Sequence, residues 1–214
     1  NELALKQEIG FMLGGVDYYV KSRIKKITEV VRRFYARWDD DLYASYLRRF
    51  AIDENKKVEE LSHGMRIKYA LALALSHHAK LLLLDEPTSG LDPVARDDIL
   101  ELFQELIEGG ERSILFSTHI TSDLDKCADH ITYIKNGRII ESREKDDLIA
   151  AYRIVKGTRE QLPKLMPALI SYKEHAFGFT GFIRTADLKT TEGLSVEQPS
   201  IEEIMIYFEK EKNN

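Results

Sequence analysis

A single cysteine, Cys127, leaves this chain of 214 residues with no internal disulfide and no cysteine-rich metal centre. That economy fits a reducing compartment. Long hydrophobic runs are also missing: nothing approaches the ~18–20 apolar residues that span a bilayer, and no signal-peptide pattern stands at the N-terminus. The chain is therefore not expected to insert in a membrane by itself. Basic tracts are absent too, since 31 basic and 36 acidic residues are interspersed to a net charge of -5, which argues against a nucleic-acid partner. There are no internal repeats or low-complexity tracts. Apolar residues are not scarce, and at 43% they suffice for a sizeable core. The first residue is Asn1 rather than Met, so the natural start is expected upstream.

The hydrophobic pattern organises the chain. Leu5 to Leu13 reads as a helix or loop running into a short strand, which Gly14-Gly15 interrupts. Helical spacing from Ile27 through Val30, Val31, Phe34, Tyr35 and Trp38, then Asp39 to Asp41 as caps for Leu42, Tyr46, Leu47 and Phe50, gives two helices of a compact insert. Ile67, Ala70, Leu71, Ala74 and Leu75 form an apolar stripe on a further helix ending near His77-His78. Leu81 to Leu84 predicts a strand buried on both faces, as parallel sheets contain, and Ile114 to Phe116 a second buried strand. Between them Pro93 opens a helix that Gly109-Gly110 ends. A helix from about Ser122 to Ala128 completes the order of a doubly wound α/β sheet. Asn136-Gly137, between Ile131–Lys135 and Arg138–Glu141, predicts a type I′ hairpin. From about Ala151 a small appended α+β subdomain is expected, closing on the helix SIEEIMIYFEK.

Four short stretches carry chemistry. Asp85 and Glu86 follow a strand directly, where an open α/β sheet places ligand groups. One carboxylate there can face a magnesium ion while the next orients or deprotonates a water. A bare Asp-Glu-Pro turn can equally just end a strand. His119 follows the neighbouring strand and is expected on the same sheet edge, where it could meet a metal-bound polyphosphate. Ser62-His63-Gly64 precedes a helix N-terminus, whose free N–H groups and positive dipole end suit an anion, although Ser62 also reads as a plain N-cap. Ser89-Gly90-Leu91-Asp92 offers a turn with Asp92 as a helix cap.

With these elements in this order, the sequence resembles the nucleotide-binding subunits of ATP-binding cassette (ABC) transporters. Leu61-Ser62-His63-Gly64-Met65 stands where that family usually has its LSGGQ signature, LLLLDE is similar to the Walker B strand, Ser89 to Asp92 to the D-loop, and His119 to the switch histidine. The closing PSIEEIMIYF resembles the C-terminal helix of bacterial ABC-2-type exporter ATPases. The resemblance implies a P-loop NTPase-like, mostly parallel α/β sheet with a helical insert and a small C-terminal α+β subdomain. It divides the chain into core strand (1–15), helical subdomain (16–60), core with signature, Walker B, D-loop and switch histidine (61–150), and accessory part (151–214). It implies ATP and Mg2+ as cofactors, Asp85 in the metal role, Glu86 and His119 in catalysis, and Ser62, Gly64 and Asp92 in nucleotide binding. Partners would be a second such subunit, as homo- or heterodimer, and a membrane permease at the cytoplasmic face of the cell membrane. In such pairs the signature of one subunit closes over ATP on the other, so Ser62 and Gly64 would serve the partner's ATP.

Departures from the family pattern are specific. None of the twelve glycines precedes a lysine, so G-x-x-x-x-G-K-[ST] does not occur in these residues, and tight ATP binding by them alone is not expected. Gly14 stands where the Q-loop glutamine is expected, and Gln7 falls too early. His63 and Met65 replace a glycine and a glutamine of the signature, changes expected to tune the interface. The alternative to an ATPase subunit is a non-catalytic regulatory or binding module that keeps this fold. His77-His78 is expected to meet the last helix carbonyls, Arg32-Arg33 and Arg48-Arg49 to be solvated, and Cys127 to be a small buried residue.

Overall fold

A computed structural model describes residues 2–13 and 19–210, so Gly14 lies outside the described residues. The chain forms two compact units, Asn1–Ile120 and Thr121–Asn214. The division falls inside the stretch 61–150 that the sequence suggested as one core.

In the first unit, helix α1 (Glu2–Glu8) leads into strand β1 (Ile9–Leu13), followed by helices α2 (Ile24–Val31), α3 (Asp40–Arg49) and α4 (His63–Leu75), strand β2 (Leu81–Asp85), helix α5 (Pro93–Glu108) and strand β3 (Ser113–Ser117). The strands make a parallel sheet in the order β1-β2-β3, with Ile9 opposite Leu81 and Leu81 opposite Ser113. Asp39 caps α3 by accepting the Leu42 N–H at 2.8 Å, as its position predicted. Helix α2 starts earlier than expected, at Ile24, and stops at Val31, where a 3-10 turn over Arg32–Phe34 replaces it. Tyr35 and Trp38 therefore lie past the helix, and Tyr35 instead stacks on His77 at 3.7 Å.

Two burial expectations are corrected. Helix α4 is not striped: Tyr69 through Leu75 is buried all round. The insert encloses one side, where Tyr69 and Tyr43 share Thr28 Oγ1 at 2.9 and 2.8 Å. The sheet encloses the other, where a Cβ at Gly10 would meet the Ala74 carbonyl at 2.7 Å. Conversely, β2 and β3 are not buried on both faces. Leu82 and Leu84 face the helices, at 0% and 3% exposure, and Phe103 of α5 reaches Phe116 of β3 at 5.9 Å. On the opposite face Phe11 and Leu115 are 57% and 65% exposed, flanking half-buried Leu83, because α4 and α5 cover only one side.

In the second unit, α6 (Thr121–Cys127) precedes β4 (His130–Lys135) and β5 (Arg138–Glu144), an antiparallel hairpin. Asn136 and Gly137 both have positive φ, 51° and 73°, as a type I′ turn demands. Then come α7 (Lys145–Ala150), β6 (Tyr152–Gly157), α8 (Leu162–Leu165), β7 (Leu169–His175), β8 (Gly178–Arg184), β9 (Ser195–Glu197) and α9 (Ile201–Lys210). The last four strands make an antiparallel sheet in the order β7-β8-β6-β9. Its core centres on Tyr152, stacked on Phe182 at 5.0 Å and set edge-on to Phe208. The expected α+β tail and final helix are thus present. Cys127 is half-buried; burial pushes its thiol up to about 11.

Candidate functional site

The parallel register determines which side chains meet. Alternate residues of a strand share a face, so Asp85 follows Leu81 and Leu83 onto the exposed face, and its partner in register on β3 is Ser117. Ser117 Oγ donates to Asp85 Oδ1 at 2.5 Å and accepts the Glu86 N–H at 3.0 Å. Asp85 is exposed at the C-terminal end of β2. Glu86 turns away from the strand with φ +48°, the left-handed region that costs a non-glycine residue about 1–2 kcal/mol. Such strain is kept only where surrounding contacts enforce it, and it concentrates at functional sites.

His119, two residues past Ser117, completes the edge. Its Nδ1 lies 2.9 Å from both Glu86 carboxylate oxygens, and the contact to Oε1 is a hydrogen bond. Oε2 is buried without a hydrogen-bond donor aligned to it. The structure thus brings Asp85, Glu86 and His119 onto one edge and adds Ser117, whose part only the strand register reveals.

Ser62 and Asp92 both act as caps, the plainer of their two readings. Ser62 accepts the Met65 N–H at 3.2 Å at the start of α4, and Asp92 accepts Val94 and Ala95 N–H groups at 3.1 and 3.0 Å at the start of α5. Both stay exposed. Gly64 lets their two turns approach: a Cβ there would lie 3.3 Å from Leu91 Cδ2 and 3.7 Å from Ala95 Cβ.

Gln7, too early for the Q-loop position, has a structural task. Its amide donates to the Phe34 carbonyl and accepts the Ala36 N–H, both at 2.8 Å, fastening α1 to the insert. The His78 backbone N–H meets the Leu75 carbonyl, the last of α4, at 3.2 Å, while both histidine side chains reach partners outside that helix. Burial holds the His77 imidazole below its usual pKa, and its Nδ1 lies 3.2 Å from the Gln7 carbonyl; His78 Nε2 lies 3.1 Å from Asp39 Oδ2. Among the described residues no three His, Cys, Asp or Glu side chains cluster as a metal cage. An ion at Asp85 would draw its remaining ligands from a polyphosphate and water, as magnesium commonly does.

A family model described as "AAA domain, putative AbiEii toxin, Type IV TA system" matches residues 19–124. The chain is 30% identical over 148 residues to the ABC transporter ATP-binding protein YtrB of Bacillus subtilis (strain 168), covering 69% of this chain and 51% of that protein. It is 31% identical over 170 residues to the ABC transporter ATP-binding protein NatA of the same organism, covering 72% of this chain and 69% of NatA. It thus spans about half the length of YtrB. The fold matches a solved dimeric ATP-binding cassette, MJ0796, bound to ADP and Pi, with a TM-score of 0.58 and 20% identity, over 67% of this chain and 65% of that one. With the parallel α/β sheet and these relatives, the chain belongs to the ABC transporter ATP-binding proteins.

Proposed function

We propose that this chain belongs to an ATP-hydrolysing subunit of an ABC exporter, working in pairs beneath a membrane permease. The observation that carries the reading is the convergence of Asp85, Glu86, Ser117 and His119 at one sheet edge, with Ser117 to Asp85 at 2.5 Å and His119 to Glu86 at 2.9 Å. Asp85 presents an exposed carboxylate that can hold Mg2+ with the phosphates of ATP. Glu86, with a buried acceptor oxygen that lacks an aligned donor, is suited to orient and deprotonate the attacking water. His119, hydrogen-bonded to Glu86, would stabilise the charge of a γ-phosphate held at this edge. Bound Mg2+ supplies charge neutralisation to the polyphosphate; these residues supply position and a proton acceptor.

The phosphate-cradling loop is not among these residues, and the uncovered face beside Asp85 suits the segment that would bring one. Phe11, Leu83 and Leu115 make an apolar row across the three strands, and the next row on the same face is Leu13, Asp85 and Ser117. Whatever packs on that row comes against the carboxylate edge. Ser62 and Gly64, on a separate turn, suit a second subunit's nucleotide, and Asp92 beside them suits the interface. Export rather than import rests on the likeness of the closing helix to exporter ATPases. No described helix is long and apolar enough to cross a membrane; the permease and the place at the membrane's cytoplasmic face rest on the likeness to ABC transporter subunits.

The test is Glu86→Gln in the full-length polypeptide, assayed with Mg-ATP. Hydrolysis is expected to fall about a hundredfold or more, the usual share of a general base, while ATP-dependent pairing persists. Unchanged turnover overturns the assignment of Glu86.

A further inference from the structure

We infer that His63 is a positioning residue that locks the Ser62–Gly64 turn to the Ser89–Asp92 turn of the same chain. In its functional consequence this rests on the ATPase reading above; the lock itself does not. His63 opens α4, and its Nε2 lies 3.0 Å from the Ser89 carbonyl oxygen. A carbonyl only accepts, so Nε2 carries the proton, and both the neutral Nε2–H tautomer and the imidazolium can donate it. The ring lies against Gly90, where φ is +71° and an added Cβ would stand 3.3 Å from ring Cδ2 and Nε2. Glycine is thus needed there twice, for the left-handed backbone and for the space. One residue on, Gly64 sits against Leu91 and Ala95. Two glycines, one in each turn, let the turns touch, and the imidazole closes the contact.

The contact extends further. The Ser89 N–H donates to the Glu86 carbonyl at 3.2 Å, and the Leu91 N–H to the Thr88 carbonyl at 3.3 Å. His63 is therefore linked through residue Ser89, by its carbonyl on one side and its N–H on the other, to the backbone of Glu86. A glycine at position 63, as the family's usual signature has, offers no side chain for this bond. In this chain the turn suited to a second subunit's nucleotide is joined by two hydrogen bonds, across Ser89, to the backbone of the residue whose carboxylate suits its own. Movement of either turn is transmitted to the other.

The experiment compares wild type, His63→Ala and His63→Gln in the full-length protein, by amide hydrogen exchange over residues 86–92 and by steady-state ATP hydrolysis. His63 is exposed, so none of these variants empties the core. His63→Ala is expected to speed exchange at 86–92 by about threefold to tenfold, the worth of one hydrogen bond, and to lower kcat with KM little changed. His63→Gln, whose amide can donate to the same carbonyl, is expected to restore both. Exchange that is the same in wild type and His63→Ala overturns the lock, whatever the ATPase assay reads. Faster exchange with unchanged kcat overturns the positioning role. A wild-type protein that hydrolyses no ATP overturns the ATPase reading instead, and leaves the exchange comparison to decide the lock.

Discussion

Ser117 accepts the Glu86 backbone N–H at 3.0 Å while donating to Asp85 at 2.5 Å, so one small side chain on β3 holds two neighbouring acidic residues of β2's end in different orientations. Asp85 stays in the strand's alternation, and Glu86 is turned out of it into the left-handed region. The different settings of the two carboxylates are built into the backbone before any ligand arrives.

That arrangement sets stability against function. Glu86→Gly removes the left-handed strain and is expected to raise stability by about 1 kcal/mol, read as a higher urea midpoint, while ATP hydrolysis by the full-length protein is lost. A lowered midpoint would show that the His119 contact outweighs the strain.

Alkaline pH is expected to weaken the first unit. Burial pushes the Tyr43 phenol up to about 12, against roughly 10 in an unfolded chain. The folded form then holds this proton more tightly, so the stabilisation is full below about pH 10 and is lost as pH rises through about 12. Trp38, the sole tryptophan, lies 5.5 Å from Tyr43 and reports on the region by fluorescence. Its urea midpoint should fall from pH 9.5 upward (a range set about the ~10 reference value), and Tyr43→Phe should flatten the slope. An equal slope in both proteins rules Tyr43 out as the source.

The two faces of the parallel sheet should respond oppositely to substitution. Gly10→Ala drives a Cβ to 2.6 Å from Leu82 Cδ2 and 2.7 Å from the Ala74 carbonyl, a backbone atom that cannot swing aside. A loss of about 1–3 kcal/mol is expected. Leu115→Gln, on the uncovered face, should change the stability of this 214-residue chain by no more than about 0.5 kcal/mol. Urea denaturation of both variants measures the contrast, and a large loss at Leu115 would mean that this face is packed.

Much of this was legible in the sequence, because the signals were local. Asp39 as a cap, Pro93 opening a helix, Asn136-Gly137 as a primed turn and Leu81 to Leu84 as a strand each follow from a few neighbouring residues. What failed depended on partners far along the chain. A run of four leucines looks the same whether one or both faces are covered, and only the placement of α4 and α5 on one side exposes Leu115. Ser117 became visible only through register with Asp85. His63 and Gln7 looked like mere departures from a pattern, and their partners, Ser89 and the Phe34–Ala36 backbone, lie 26 and 27 to 29 residues away.

The pairing of Ile9 with Leu81 also governs the order in which the molecule can assemble. Emerging from a ribosome, β1 meets β2, its neighbour in this sheet, only after the whole helical insert has followed it out. The contacts among the helices, Thr28 of α2 with Tyr43 of α3 and Tyr69 of α4, span shorter loops and close at smaller entropic cost. The helices are therefore expected to gather first and to deliver β2 to a waiting β1, which makes the buried Thr28 cluster a natural place to look for the nucleus of folding.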